Sequence, residues 1–342
     1  MNQRTKGIIG SQSGSVAAVV ALVLVVLLGM AAVAFDYGHL TWVQSELKKA
    51  SEAGALAGAR ALVPYVGAPL TPNWTAGQNK ATQTVLLNHA DNQALADSLV
   101  EYGYWNLTTR TLDSSGIVPT ASHLPAVQVT ITKAQGINGG PVQMFFAPIL
   151  GVATRDLSAR AVAVISFPKG VGNGALKPMV ATKTIVNNYW NRFDPLNPGQ
   201  PFQFKLGDGS QADDTMWSTF KVVSNSNDYT KQLIDQGNPD PLYIGDSIHL
   251  QPGVRAVDYG PNEMGQFINQ TVVLPIVDPA TLVADTSAPI LGFIAFHITG
   301  YSQGGQYVAG YFDKEYVITN PQGVGLPNPT VPSSPSPPKL VY

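Results

Sequence analysis

The sequence predicts an α+β protein with one long N-terminal helix, a mixed α+β domain behind it, and a β-rich C-terminal domain built as a sandwich or partly open barrel. Three observations predict this. Residues 16–35 are an uncharged, mostly apolar run, and a helical spacing of apolar and small residues continues from it with no proline before Pro64. From Thr75 to Phe167, helical stretches mix with strand-like alternation. Beyond that, strand-sized apolar runs are separated by turns, and most of the 33 glycines and 26 prolines fall there.

The apolar run 16–35 spans about 30 Å as a helix, the thickness of a bilayer's hydrocarbon core. A single membrane-spanning helix is therefore expected, with residues 1–15, which carry Arg4 and Lys6, on the cytoplasmic side. Ala32-Val33-Ala34 fits the small-x-small rule of a cleaved signal peptide. The run is longer than an ordinary signal core and the helix continues past it, so retention as an anchor is the expectation.

Residues 36–63 read as the extramembrane continuation of the helix. Leu40, Val43, Leu47, Ala50, Gly54, Ala57 and Ala61 recur at alternating spacings of three and four. Later turns hold only alanine and glycine on this seam, and small residues four apart let another backbone approach closely. A mid-helix glycine costs about 1 kcal/mol relative to alanine, so Gly54 and Gly58 argue for close packing rather than for propensity alone. The candidate helix-packing residues are Asp36, Leu47, Ala50, Gly54, Ala57, Gly58 and Ala61. Their partner is either this chain's own domain or another subunit. Asp36 stands where hydrocarbon should end; it either marks the interface or pairs with a cation on a neighbouring helix.

Residues 64–167 form the expected α+β domain. Pro64 to Pro72 reads as a linker, and Thr75 can cap a helix from Ala76 to about Asn88. Strands are expected at Ser98 to Asn106, Ala126 to Lys133 and Leu157 to Phe167, with a short apolar helix at Pro141 to Gly151. Residues 168–178 read as a second linker. Residues 179–319 form the β-rich domain, with one helix from Asn227 to Gln236 between Ser226 as cap and Gly237 past its end. Residues 320–342 are a proline-rich tail, expected to be extended and mobile.

Composition narrows function. Only 12% of residues are charged and the net charge is −2, so nothing points to nucleic acid. With no cysteine there is no disulfide scaffold, thiolate metal site or cysteine chemistry. Gly300-Tyr301-Ser302-Gln303-Gly304 fits G-x-S-x-G, but no histidine follows His297, so the hydrolase order of Ser, Asp, His cannot be met. His39, His89, His123, His249 and His297 lack metal-ligand spacing. Asp208 to Asp214 lacks the calcium-loop pattern and reads as a turn. No cofactor and no enzymatic activity is expected.

Gly14-Ser15-Val16-Ala17 before the span, the run Phe35 to Leu40 after it, and the Ala/Gly-rich stretch from Lys49 to Leu62 together resemble the TadE/TadG-like proteins of the Flp (Tad) pilus assembly system. The order of elements to residue 167 resembles the same family, and the match is looser beyond. The resemblance implies a pilin-like α+β domain, a single-pass inner-membrane location with the bulk of the chain extracytoplasmic, and a non-enzymatic role in assembling or anchoring a Flp-type pilus. It implies as partners other pilus assembly proteins or pilin-like helices, and self-association. Five residues after Gly14 stands Val19, where substrates of the prepilin peptidase carry Glu. The rival reading is an anchored surface module whose β domain, with loop aromatics such as Trp190 and Trp217, binds a glycan or protein.

Overall fold

The computed structural model describes residues 13–63, 65, 70–190, 202–206, 214–251, 263–283, 285–301 and 307–341. It is a mixed α+β structure: a long apolar helix, then a β-rich region of several sheets. The chain divides into two units. The first contains residues 1–51, 84–99 and 130–160; the second contains 52–83, 100–129 and 161–342.

Helix α1, Ser13–Ala61, is unbroken for 49 residues. It includes a stretch of mean hydropathy 3.1, long and apolar enough to cross a membrane. Residues 16–35 are almost entirely exposed, whereas from Asp36 onward one stripe is buried. The stripe runs through Val43, Leu47 and Ala50 and then through Ala55, Ala59 and Leu62, while Ala57 and Ala61 are half-buried. A repeat of 3.5 residues on a straight helix of 3.6 turns by about 20° per heptad. Over the three heptads from Leu40 to Ala61 the seam therefore rotates away, and the neighbouring small residues take over the packing.

In the first unit, α1 is joined to two short segments. The Asp91 backbone N–H donates to Glu46 at 2.8 Å and Gln44 donates to the Ser158 carbonyl at 2.9 Å. Where a short helix was expected at Pro141 to Gly151, there is a two-residue ladder, Val142–Gln143 with Thr154–Arg155, closed by a 3-10 turn at Ala147–Leu150. Pro148 lacks the N–H that a longer helix needs, and Gly151 ends the turn in the left-handed region at φ 85°.

Helix α2, Trp74–Leu86, packs on α1 where Gly58 meets Gly77 and Ala81, all within the second unit. A five-stranded sheet has the order Lys339–Leu340, Leu157–Val164, His123–Lys133, Leu99–Asn106, Thr111–Ser114. A six-stranded sheet has the order Ala181–Thr182, Gln270–Val277, Gly292–Tyr301, Tyr307–Phe312, Phe202–Leu206, Asp214–Thr215. One face of its central pair, with Val273, Val277 and Phe293, packs on a three-stranded sheet through Phe220, Ile248, Leu250 and Ala288. The other face, with Leu274, Ile276, Ile294 and Phe296, packs on helix α3 (Lys183–Tyr189) and on Trp190, Trp217 and Val331. Burial on both faces explains why these strands are continuously apolar instead of alternating. Helix α4, Asn227–Gln236, begins on Ser226, whose hydroxyl accepts from Tyr229 N–H, and ends at Gly237, φ 76°.

Two segments differ from expectation. Residues 168–178 are built into the structure: Gly170–Val171 pairs with Leu242–Tyr243, and Val171 and Leu176 are fully buried. The proline-rich segment is not a free tail. Val331, Ser334 and Ser336 are buried, Ser334 N–H donates to Phe293 O, Ser336 N–H donates to Ser166 O, and Lys339–Leu340 pairs with Ala163 and Val164. Proline gives up its own donor, but Ser334 supplies both amide and hydroxyl and Ser336 its amide, which helps so proline-rich a stretch to be ordered.

Candidate functional site: the collar and seam of the N-terminal helix

The chain's most specific polar contact lies at the point where α1 changes from exposed to buried. Asp36 is 4% exposed. Its carboxylate accepts from three consecutive backbone amides: Phe145 N–H at 2.8 Å, Phe146 N–H at 3.1 Å and Ala147 N–H at 2.7 Å. Burial pushes its pKa up, but the three amides, with His39 nearby, outweigh that and hold it below the ordinary value of 3.8. The carboxylate's partners are thus a run of backbone donors in the same unit. Around the clasp, Phe35 meets Phe145 and Phe146 edge-on at 5.2 and 5.8 Å, and His39 lies 5.1 Å from Phe145. His39 Nε2 is 3.0 Å from the Asp91 carboxylate. Below the clasp lies an apolar groove of about 430 Å³.

The seam residues follow along the helix. Leu47 and Ala50 are buried in the first unit. Gly54 and Gly58 are buried in the second, with Ala57 and Ala61 half-buried. Gly58 marks the closest approach: a Cβ there would lie 2.9 Å from Gly77 O, Ala81 Cβ and Val127 Cγ1. Here the close partner is α2 of the same chain, which puts glycine on both sides of the contact. Sequence reasoning did not find the role of Phe145, Phe146, Ile149 and Leu150. Their signal was an apolar run with no polar face, interrupted by Pro148.

The chemical candidates are scattered. His123 pairs with Asp113 at 3.1 Å, and His297 shares a 3.0 Å hydrogen bond with Thr271. Among the described residues, no group of three or more His, Cys, Asp or Glu is placed to hold a metal ion. Ser302 and most of the Asp208 to Asp214 turn lie outside the described residues. Trp190 and Trp217, weighed as ligand-binding loop aromatics, are 3% exposed and belong to the core.

The helix is thus exposed and apolar up to Phe35 and carries a buried stripe from Asp36 onward. Residues 14–61 match the Flp pilus-assembly TadE/G-like model, and residues 39–163 match the Tad-like Flp pilus-assembly model, so the N-terminal part of the chain is similar to that family. No curated protein and no solved structure matches it.

Proposed function

We propose that this is a non-enzymatic, membrane-anchored envelope protein that assembles or anchors a Flp-type pilus. In this reading residues 16–35 cross the cytoplasmic membrane once, the N-terminus is cytoplasmic, and the rest of the chain is extracytoplasmic. The small-residue seam from Leu47 to Ala61 joins α1 to its own chain. That leaves the exposed apolar part of the helix as the surface offered to pilin-like helices or other assembly proteins. The observation that carries the reading is the abrupt change along one unbroken helix, exposed and apolar before Asp36 and buried on one stripe after it, within the stretch that matches the pilus-assembly models.

The test uses the absence of native cysteine. Single cysteines placed at exposed helix positions, Val19→Cys and Leu22→Cys, should cross-link in cells to pilus-assembly proteins, and the chain should stay in carbonate-washed membranes. A mature protein that begins at Phe35 and is soluble without detergent would sink the reading. So would cross-links only to proteins unrelated to the pilus.

A further inference from the structure

Outside the span, one short stretch beside its outer end carries a run of exposed large apolar side chains. The loop 144–152 carries Phe145, Phe146, Ile149, Leu150 and Val152, with Ile149 at 86% and Leu150 at 77% exposed. The loop is fixed in depth as well as in place. Asp36 holds its amides one residue past the apolar run, and Phe35 stacks edge-on against both phenylalanines. From there the loop descends along the helix. The groove between them is lined on α1 from Gly29 through Asp36 to Leu40, and on the loop by Phe146, Ile149, Leu150 and Val152. Gly29 lies about 10 Å below Asp36 at 1.5 Å per residue. The groove lined by the loop's most exposed apolar side chains therefore extends alongside helix positions inside the apolar run.

The loop's backbone fits the same surroundings. Amides 145–147 donate to Asp36, Met144 N–H to Ala153 O, Ile149 N–H to Phe146 O, Gly151 N–H to Pro148 O and Val152 N–H to Ala147 O, and Pro148 has no N–H. These internal partners lower the cost of placing the loop's amides at the membrane boundary. Exposed Tyr37 and Trp42, just above the clasp, are residues that favour the headgroup level.

We propose that the loop 144–152 is a second membrane contact. It dips into the outer leaflet beside the anchor helix, and lipid acyl chains fill the groove between loop and helix. The surface is continuous with the lipid-facing side of α1, and this continuity selects lipid as the occupant. The proposal rests on residues 16–35 being a membrane span. It makes the anchor a helix with a side foot, fixing the helix's rotation and tilt.

The test separates the two ideas. Full-length single-cysteine variants Ile149→Cys, Leu24→Cys and Val118→Cys are labelled with an environment-sensitive fluorophore and placed in phosphatidylethanolamine/phosphatidylglycerol vesicles. Lipids spin-labelled high on the acyl chain should quench the probe at 149. Lipids labelled deeper should quench the probe at 24. The probe at 118, on a 90% exposed side chain, should be untouched. Quenching at 24 with none at 149 overturns the foot and leaves the span intact. Quenching at neither position removes the span and the foot with it. Shielding at 149 that grows with protein-to-lipid ratio and resists lipid quenching would assign the groove to a second copy, and also overturns the proposal.

Discussion

Replacing Gly58 with alanine sets two known effects against each other. Alanine in a helix interior is favoured over glycine by about 1 kcal/mol. Against this, the new methyl would sit 2.9 Å from Gly77 O, Ala81 Cβ and Val127 Cγ1. One of these is a backbone carbonyl, which cannot rotate away, and the three enclose the position. Forcing a methyl into a packed site costs about 1–3 kcal/mol, and three simultaneous short contacts place this case in the upper part of that range. The expected net loss is about 1–2 kcal/mol. Gly38 of the same helix provides the control: nothing lies within 4 Å of a Cβ there, so Gly38→Ala should stabilise by up to about 1 kcal/mol. The assay is urea unfolding of the full chain in detergent, followed by tryptophan fluorescence at unchanged slope. Opposite shifts in midpoint are the result expected. A Gly58→Ala protein as stable as the parent would refute the claim that α1 and α2 meet backbone to backbone.

Other outcomes follow from single contacts. Asp36→Ala should leave the amides of 145–147 without acceptors and speed their hydrogen exchange; Asp36→Asn, which retains one carbonyl acceptor, should give an intermediate rate. Ser334 is fully buried and its hydroxyl accepts Ala295 N–H at 2.8 Å. Ser334→Ala should therefore cost about 1–3 kcal/mol, read as a lowered thermal midpoint. Asp246 lies 2.8 Å from Lys221 Nζ and accepts Tyr243 N–H at 3.0 Å. Burial raises its pKa, but the lysine and the amide hold it below 3.8. Its contribution is thus present above the unfolded value and lost as pH falls below 3.8 through the folded value. The stability gap between parent and Asp246→Asn should narrow over that acid range in parallel denaturation series.

Much of this fold was legible because its signals are local. The continuous helix, the cap-and-glycine frame of α4 and the buried strands around Val273 and Phe296 all announce themselves within a few residues. Helix α3 was equally readable in principle: Thr182 Oγ1 accepts Ile185 N–H at 3.2 Å. Its short length and the surrounding strand-like text hid it. The seam reads in sequence as a stripe of small residues, but its rotation between Ala50 and Ala61 depends on the gap between a 3.5 and a 3.6 repeat, and this accumulates only over several turns. What stayed hidden is long-range. Nothing near Asp36 in sequence shows that its acceptors are matched to amides more than a hundred positions away. Likewise, nothing in Ser333 to Ser336 shows that prolines and serines will lie against Phe293 and Ser166. Such pairings are set by topology.

The strand at Lys339–Leu340 borders the sheet that also contains Leu157–Val164. The order in which the chain emerges during synthesis therefore matters. The rim of that earlier-made sheet at Ala163 and Val164 stays bare until residues 339–340 follow, a long exposure for hydrogen-bonding groups that could recruit a stranger's strand. A fragment cut after the family-matching region would keep that rim open permanently, so clumping of such a fragment would reflect a missing neighbour rather than a faulty core.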